Sequence, residues 1–259
     1  MGIVNITPDS FSDGGRYLMA DAAIEHGLKL LSEGADWLDL GAESTRPGAA
    51  PVPESLESDR LLPVIEGILK HRPDAVLSID TTKSAVAARC LEQGAAVIND
   101  ISGGTFDPGM IQVVARSGAG YIVMHIQGTP KTMQANPVYQ DVVAEVAGFL
   151  NTQCRLALEA GVPAVFRDPG FGFGKTLEHN YQLLKNLPRL CHSGQPLVVG
   201  LSRKSMIGLV TGKPAGERVI GSKILEFQAC LGGARLLRVH DVAETVDMLK
   251  LLSFMEKVS

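Results

Sequence analysis

A chain of 259 residues, 45% hydrophobic and 20% charged, carries enough apolar side chain for a large core and excludes a disordered polypeptide. A net charge of -4 leaves no basic excess for nucleic acid, and 5% aromatic residues are too few for a base-stacking surface. Binding of a small anionic molecule stays compatible with this balance, because local charge placement matters there more than the sum. No apolar run reaches the roughly 18 residues of a membrane span, and Met1-Gly2-Ile3-Val4-Asn5 lacks the basic-then-apolar pattern of a signal peptide. Cys90, Cys154, Cys191 and Cys230 are scattered, with no CxxC or Cys/His cluster. They read as buried small hydrophobes in a reducing cytoplasm, not as disulfides or zinc ligands.

Along the chain, short apolar runs alternate with longer amphipathic ones. Strands are expected at Ile3–Ile6, Trp37–Leu40, Val76–Ile79, Ala96–Asn99, Tyr121–Met124, Ala164–Arg167, Leu197–Gly200 and Leu236–Val239. These runs show no clean polar/apolar alternation, as for strands covered on both faces. Helical patterns lie between them, for example Ala22–Ser32, Leu56–His71, Ser84–Gln93, Val142–Ala160 and Val242–Met255. Gly34, Gly94, Gly118 and Gly161 each follow a helical pattern and precede a strand, where glycine can take the left-handed conformation that ends a helix. Eight such units of about 32 residues predict a (β/α)8 TIM barrel of the α/β class in a single domain spanning residues 1–259. A doubly wound open sheet is the alternative. No GxGxxG follows the first strand, which disfavours its dinucleotide-binding form.

A parallel barrel places its active site at the carboxyl ends of the strands. The polar residues there are Asn5, Asp39, Asp80, Asn99 with Asp100, His125, Asp168, Ser202-Arg203-Lys204, and Arg238 with His240 and Asp241. Any one of them can be a helix cap or turn former, and Asp100 and Asp241 fit that role. The set holds carboxylates, amides and cations but no nucleophile elbow and no strand-end cysteine. His125 and His240 lack a third partner for zinc. Lys204, between Arg203 and polar loops, shows no sign of the desolvation that a Schiff-base lysine needs. What remains suits a flat heterocycle with an anionic leaving group. A carboxylate accepts two N–H bonds, lysine donates to a ring carbonyl, and arginine stacks or holds phosphate. The glycine-rich stretch Gly170-Phe171-Gly172-Phe173-Gly174-Lys175 is by itself a weak signal, and no Walker loop is present.

Eight segments in order, MGIVNITPDSFSDGG, LDLGAESTRPGA, SIDTTKSAVA, VINDISGG, VMHIQGTP, DPGFGFGKTLEHN, VVGLSRKSMIG and LLRVHDV, together resemble the dihydropteroate synthase family from residue 1 to about residue 242. The resemblance implies a transferase of folate biosynthesis, a homodimeric barrel using Mg²⁺. It would join 6-hydroxymethyl-7,8-dihydropterin pyrophosphate to p-aminobenzoate, giving 7,8-dihydropteroate and pyrophosphate. By position, Asp80, Asn99, Asp168 and Lys204 match the pterin-binding groups, Met124 and Phe173 its apolar walls, and Arg238 the group stacked on the ring. Asn5, Arg238 and His240 match the pyrophosphate site, with Asn5 also the metal ligand. Phe11, Thr45, Arg46, Pro47 and Ser205 match the p-aminobenzoate pocket, which sulfonamide mimics would share and which forms when two loops close. Arg238, His240, Lys204 and Asp13 are the expected catalytic groups, and either Asp9 or Asp13 acts in the closed loop. Family members favour Gly-Gly-Glu where this chain has Gly41-Ala42-Glu43, and they carry a further segment before the first strand, which Met1 nearly abuts here.

The implied reaction is a dissociative displacement, in which pyrophosphate leaves before the aniline nitrogen attacks. A neutral aniline needs no strong base, which agrees with the missing nucleophile. Two other readings share parts of the pattern. A methyltetrahydrofolate–corrinoid methyltransferase-like barrel would keep the pterin carboxylates but has no use for the STRPG loop or the Arg238/His240 pair. A non-catalytic pterin-binding module would not need Asn5, Arg46, Lys204, Arg238 and His240 together.

Overall fold

The computed structural model describes residues 1–7, 16–44, 48–192 and 194–258. Eight strands form one parallel sheet in sequential order: β1 (Gly2–Asn5), β2 (Trp37–Gly41), β3 (Val76–Asp80), β4 (Val97–Asp100), β5 (Gly120–Met124), β6 (Ala164–Asp168), β7 (Leu197–Val199) and β8 (Ala234–Leu237). The sheet closes on itself. Gly2 bridges Val239 in parallel, Ile3 donates to the Val239 carbonyl at 2.9 Å, and Val239 donates to the Met1 carbonyl at 3.0 Å. The result is a (β/α)8 barrel. The described helices are α1 (Arg16–Ser32), α2 (Glu54–His71), α3 (Ser84–Glu92), α4 (Met110–Ser117), α5 (Val142–Glu159), α6 (Leu177–Lys185), α7 (Ser205–Thr211), α8 (Val219–Leu231) and α9 (Val242–Lys257).

Strand positions follow the expectation closely except at β8, which begins two residues earlier, at Ala234. A register irregularity between Leu197 and Val198 shifts its pairing with β7. Val239 then lies beyond the β7 ladder and makes the closing bridge to β1. Gly34, Gly94, Gly118 and Gly161 have φ of 103°, 109°, 70° and 94°, so each occupies the left-handed position foreseen for it.

Apolar side chains form two separate clusters. The larger fills the shell between sheet and helices, with Leu38, Leu40, Leu77, Ile79, Ile98, Tyr121, Val123 and Val165 facing it from the strands. A small second cluster of Met1, Val97, Ile122 and Val198, with Trp37, Val76, Phe166 and Leu236 packed on it, plugs the barrel interior. Trp37 and Phe166 meet there edge to face at 5.4 Å. Above this plug the interior turns polar. Asp39 on β2 bonds to Ser78 on β3, Asn99 on β4 and Arg238 beyond β8, a span across the lumen that only inward-facing side chains can make. The strands therefore do alternate at this level: Leu38-Asp39-Leu40 and Leu77-Ser78-Ile79-Asp80 put polar groups inside and leucine or isoleucine outside. The expected lack of alternation holds only for the apolar lower barrel.

Cys90 and Cys154 are buried, and burial pushes their thiols up to about 12 and about 11. Cys191 is exposed and Cys230 half-buried, which corrects the expectation that all four are core residues. No helix among the described residues is long and apolar enough to cross a membrane.

Candidate active site

The strand register brings the polar residues to one level. Asn5 pairs with Gly41, Gly41 with Asp80, and Asp80 with Asn99, so four carboxyl ends share one rim. Inside that rim lies a cleft lined by Asp80, Asn99, Met124, Asp168, Lys204 and Arg238, with Ile101, Phe171, Phe173 and Gly200 completing the wall. Every residue matched to the pterin pocket lies in this lining. Asn5, His240 and Ser205 do not line the cavity: Asn5 ends β1, Ser205 opens α7, and His240 follows β8. Phe11, Asp9, Asp13, Thr45, Arg46 and Pro47 lie outside the described residues.

Asp39 anchors the cavity from below. It is fully buried, accepting from Ser78 Oγ at 2.7 Å, Asn99 Nδ2 at 3.1 Å and Arg238 Nε at 2.6 Å. Arg238 also donates from Nη2 to Asp80 Oδ2 at 2.9 Å. The two carboxylates hold the guanidinium protonated well beyond its ordinary range. Two bonded edges fix its plane, so it presents a planar charged group to the cavity. Burial, reinforced by the negative charges of Asp39, Glu57 and Asp100, pushes Asp80 up to about 7 against the pull of Arg238. Asp39 was legible in the sequence only as part of a strand end. Its real signal is a carboxylate flanked by two leucines inside a strand, a placement that demands buried partners.

Asn99 spends its amide N–H on Asp39, which leaves Oδ1 in the cavity wall, buried and without a partner among the described residues. An orphaned acceptor of this kind costs about 1–3 kcal/mol until a donor reaches it. Asp168, 4% exposed, accepts from the Gly170 N–H at 2.7 Å through one oxygen. Burial raises its carboxyl, opposed by Gly170 and by the charges of Lys204, Arg238 and Lys175.

Lys204 sits with Nζ 4.4 Å from the Phe173 ring centroid. Burial, helped by Arg238, lowers its ammonium to about 8. This corrects the expectation of an undesolvated lysine: the side chain is half-buried and its ammonium lies over the Phe173 ring. Beneath it, Lys175 is buried and donates to His125 Nδ1 at 3.0 Å, the Gly170 carbonyl at 2.8 Å and the Phe173 carbonyl at 2.9 Å. A longer bond reaches the His125 carbonyl at 3.3 Å, and together these contacts stitch the β6–α6 loop to the end of β5. His125, lowered to about 3 by burial and by Lys175, is neutral and structural. The glycine-rich run serves the same packing. Gly170 and Gly174 have φ of 68° and 64°, and a Cβ on either would fall 1.9 Å from the His125 carbonyl oxygen or 2.4 Å from that of Gln127. The run is a close-packed wall of the cavity, not a phosphate cradle.

His240 receives two contacts from Ser202: its backbone N–H donates to Ser202 Oγ at 3.1 Å, and Nδ1 lies 3.0 Å from that oxygen. Burial and the nearby Arg238 and Arg203 charges lower the imidazole to about 4, so it is neutral near pH 7. Asp100 is the turn former foreseen, accepting from Ser102, Gly104 and Tyr121. Asp241 is not a side-chain cap. It occupies the cap position of α9 but makes no capping bond, and instead pairs with Arg203 through both oxygens. Ala42 adopts no left-handed conformation, so its Cβ is tolerated where relatives have glycine. Its carbonyl accepts from Arg60 at 2.9 Å.

Residues 1–240 match the family of pterin binding enzymes. A dihydropteroate synthase of Haemophilus influenzae is 46% identical over 252 residues, covering 96% of this chain and 91% of the relative. The structure of a Xanthomonas albilineans dihydropteroate synthase with 4-aminobenzoic acid superposes with a TM-score of 0.93 at 46% identity, covering 100% of this chain and 93% of that one. Another structure of the enzyme from that organism, in complex with 7,8-dihydropteroate, gives 0.89 at 43% identity, covering 100% and 94%. The cavity, its barrel and these similarities agree: the chain belongs to the dihydropteroate synthase family of pterin-binding enzymes.

Proposed function

We propose that the cavity holds the ring of 6-hydroxymethyl-7,8-dihydropterin pyrophosphate and that the rim holds its phosphates while p-aminobenzoate displaces them. The observation that carries this reading is the orphaned Asn99 Oδ1, set between Asp80 and Asp168 in a narrow apolar-walled slot. Three acceptors and an ammonium around one cleft complement the amino-pyrimidinone edge of a pterin, which carries several N–H donors and one carbonyl. Met124, Phe171 and Phe173 cover the ring, and the plane of Arg238 lies against it.

In the reaction, the bond from the exocyclic methylene carbon to the pyrophosphate oxygen breaks, and pyrophosphate takes the electron pair. The aniline lone pair forms the new C–N bond, and the nitrogen sheds its proton to solvent or to the leaving group. The chain supplies positioning and charge, not a nucleophile. Asp80, Asn99, Asp168 and Lys204 fix the ring, and the negative wall favours positive charge spreading into it. Arg238 and the His240 Nε2–H face the departing phosphates. Ser202 Oγ accepts the backbone N–H of His240, and where it gives its own proton to Nδ1 the ring would carry its hydrogen on Nε2. Phe11, Thr45, Arg46, Pro47 and Ser205 are the groups we assign to p-aminobenzoate, and Asp13 to the closing loop.

Mg²⁺ fits the donor set. The Asn5 amide oxygen is a hard ligand at the rim, and no three carboxylate, histidine or cysteine side chains converge among the described residues. A Mg²⁺ that keeps its waters and takes most of its ligands from phosphate needs no more than this. When bound, it would neutralise charge on the leaving group.

A second copy of the chain is the partner we infer. Leu209 and Val210 on α7, Ile220 and Ile224 on α8, and Leu251 and Phe254 on α9 are all exposed. Exposed large apolar side chains gathered on these three helices favour an interface.

The test is release of pyrophosphate. It should require both the pterin pyrophosphate and p-aminobenzoate, and release without the amine, or none with both, would reject the reading. By calorimetry, His240→Ala should lose about 1.5–3 kcal/mol of affinity for the pyrophosphate substrate, the range for a hydrogen bond to a charged group. Affinity for a pterin lacking phosphates should stay intact, and equal weakening of both ligands would make His240 structural.

Lys204 gives a pH dependence. The ring carbonyl favours the ammonium, whose free-protein value is about 8. Above that value binding must take up a proton, so pterin affinity should fall as pH rises, by up to about tenfold per unit. Asp80 and Lys175, both at about 7, and His240, at about 4, titrate mainly below this window. Calorimetry between pH 7.5 and about 9.5 should show the decline in the wild type and not in Lys204→Met. A flat wild-type profile would remove Lys204 from the ring contact.

A further inference from the structure

Arg203 is the only non-glycine residue with a left-handed backbone among the described residues, at φ 57°. This conformation crowds an L side chain against the following carbonyl, and glycine is the residue that meets it without strain. Both peptide groups of Arg203 are held by the start of α8. Its N–H donates to Ser222 Oγ at 2.9 Å, and its carbonyl accepts from Arg218 Nη1 at 3.0 Å. Ser222 is fully buried and donates in turn to the Arg218 carbonyl at 2.8 Å. The guanidinium reaches the other way, to Asp241, with Nε 3.0 Å from Oδ2 and Nη2 on Oδ1.

The neighbours of this pair are what give it meaning. Lys204 follows Arg203 directly and stands at the cap position of α7 with its ammonium in the cavity wall. Ser202 precedes it and meets both the backbone and the ring of His240, and Asp241 follows His240. Two dipeptides, Ser202-Arg203 and His240-Asp241, are thus crosslinked twice between the neighbouring ends of β7 and β8. An exposed ion pair alone contributes little to stability. Here a two-pronged pair with an 8% exposed carboxylate retains arginine at a position where glycine would be free of strain.

We propose that Arg203 is a positioning residue with two separable actions. Its left-handed backbone aims Lys204 into the cavity, and its pair with Asp241 holds His240 at the rim. This rests on the reading of the cavity as the pterin site and the rim as the pyrophosphate site.

The experiment measures dissociation constants of a pterin lacking phosphates and of the pterin pyrophosphate with Mg²⁺, with thermal midpoints, for wild type, Arg203→Gly, Arg203→Ala and Asp241→Asn. Glycine keeps the backbone and loses the pair, so Arg203→Gly should bind the bare pterin within about twofold of wild type and the pyrophosphate about tenfold more weakly. Asp241→Asn should behave likewise. Alanine keeps the strain and the backbone bonds to Ser222 and Arg218 but loses the pair with Asp241 that offsets that strain, so Arg203→Ala should weaken both ligands by about tenfold. Lowered midpoints with both affinities intact would overturn the proposal as a merely structural role. So would Arg203→Gly and Arg203→Ala losing the bare pterin equally, or Asp241→Asn weakening both ligands alike. Wild-type protein that binds neither ligand would fail the functional reading and this inference with it, whereas wild-type binding with unchanged variants overturns the inference alone.

Discussion

Arg238→Leu is expected to lose about 3–5 kcal/mol of folding stability at pH 8, the range for breaking a buried ion pair from one side. The residue serves two carboxylates at once, Asp39 at 2.6 Å and Asp80 at 2.9 Å. Asp39 is wholly inside the barrel and keeps only Ser78 and Asn99 as donors once the guanidinium is gone. Two negative charges on adjacent strands would then lack their shared counter-charge, and the folded protein would relieve them by taking up a proton. Asp80, already raised by burial, would rise further above its value in the unfolded chain, so the folded state binds more protons and stability falls as pH rises. The deficit against wild type should therefore shrink from pH 8 toward pH 5. Urea unfolding at both pH values measures it, and a variant as stable as wild type at pH 8 would show that Arg238 is not the counter-charge of the barrel interior. Pterin binding should be lost in the same variant, since Asp80 and Asn99 share this network.

That network separates what was readable in the sequence from what was not. Strand and helix order, the left-handed glycines and the eight polar strand ends follow from local pattern, because each depends on a few consecutive residues. Asp80, Asn99, Asp168, Lys204 and Arg238 could be placed at one barrel end by position alone, and all five line the cavity. Asp39 could not, because its role depends on which strand faces which across the lumen, and β2 meets β8 only after the barrel closes. The burial of Lys204 was missed for a related reason. Sequence shows polar neighbours, whereas desolvation depends on Phe173, which is 31 positions away in the chain and folds against the ammonium. Asp241 and Arg203 looked like separate turn residues, and only the approach of two loops makes them one unit. Lys175 belonged to a glycine-rich run whose purpose could not be read until Gly170 was seen pressed against the His125 carbonyl.

Asp168→Asn should weaken pterin binding by about 1–3 kcal/mol, roughly 5- to 150-fold, while leaving the fold in place. One carboxylate oxygen is committed to the Gly170 N–H at 2.7 Å, and this bond shapes the turn that carries Phe171 and Phe173. An asparagine that keeps its oxygen there must present its NH₂ to the cavity. That group would point a donor at the N–H donors of the ring, where the carboxylate offered an acceptor. The opposite rotamer restores an acceptor to the ligand but turns a donor toward Gly170, which breaks the turn instead. Neither orientation satisfies both sides, so the loss does not depend on which one is adopted. It also removes the negative charge that helps hold Lys204 protonated, so the alkaline fall in affinity should begin at lower pH than in wild type. Calorimetric titration with a pterin lacking phosphates gives the cleanest measure, because the rim contacts of Arg238 and His240 with phosphate are then absent. Unchanged affinity would mean that Asp168 only shapes its loop, and the ring would have to be held by Asn99 and Asp80 without it.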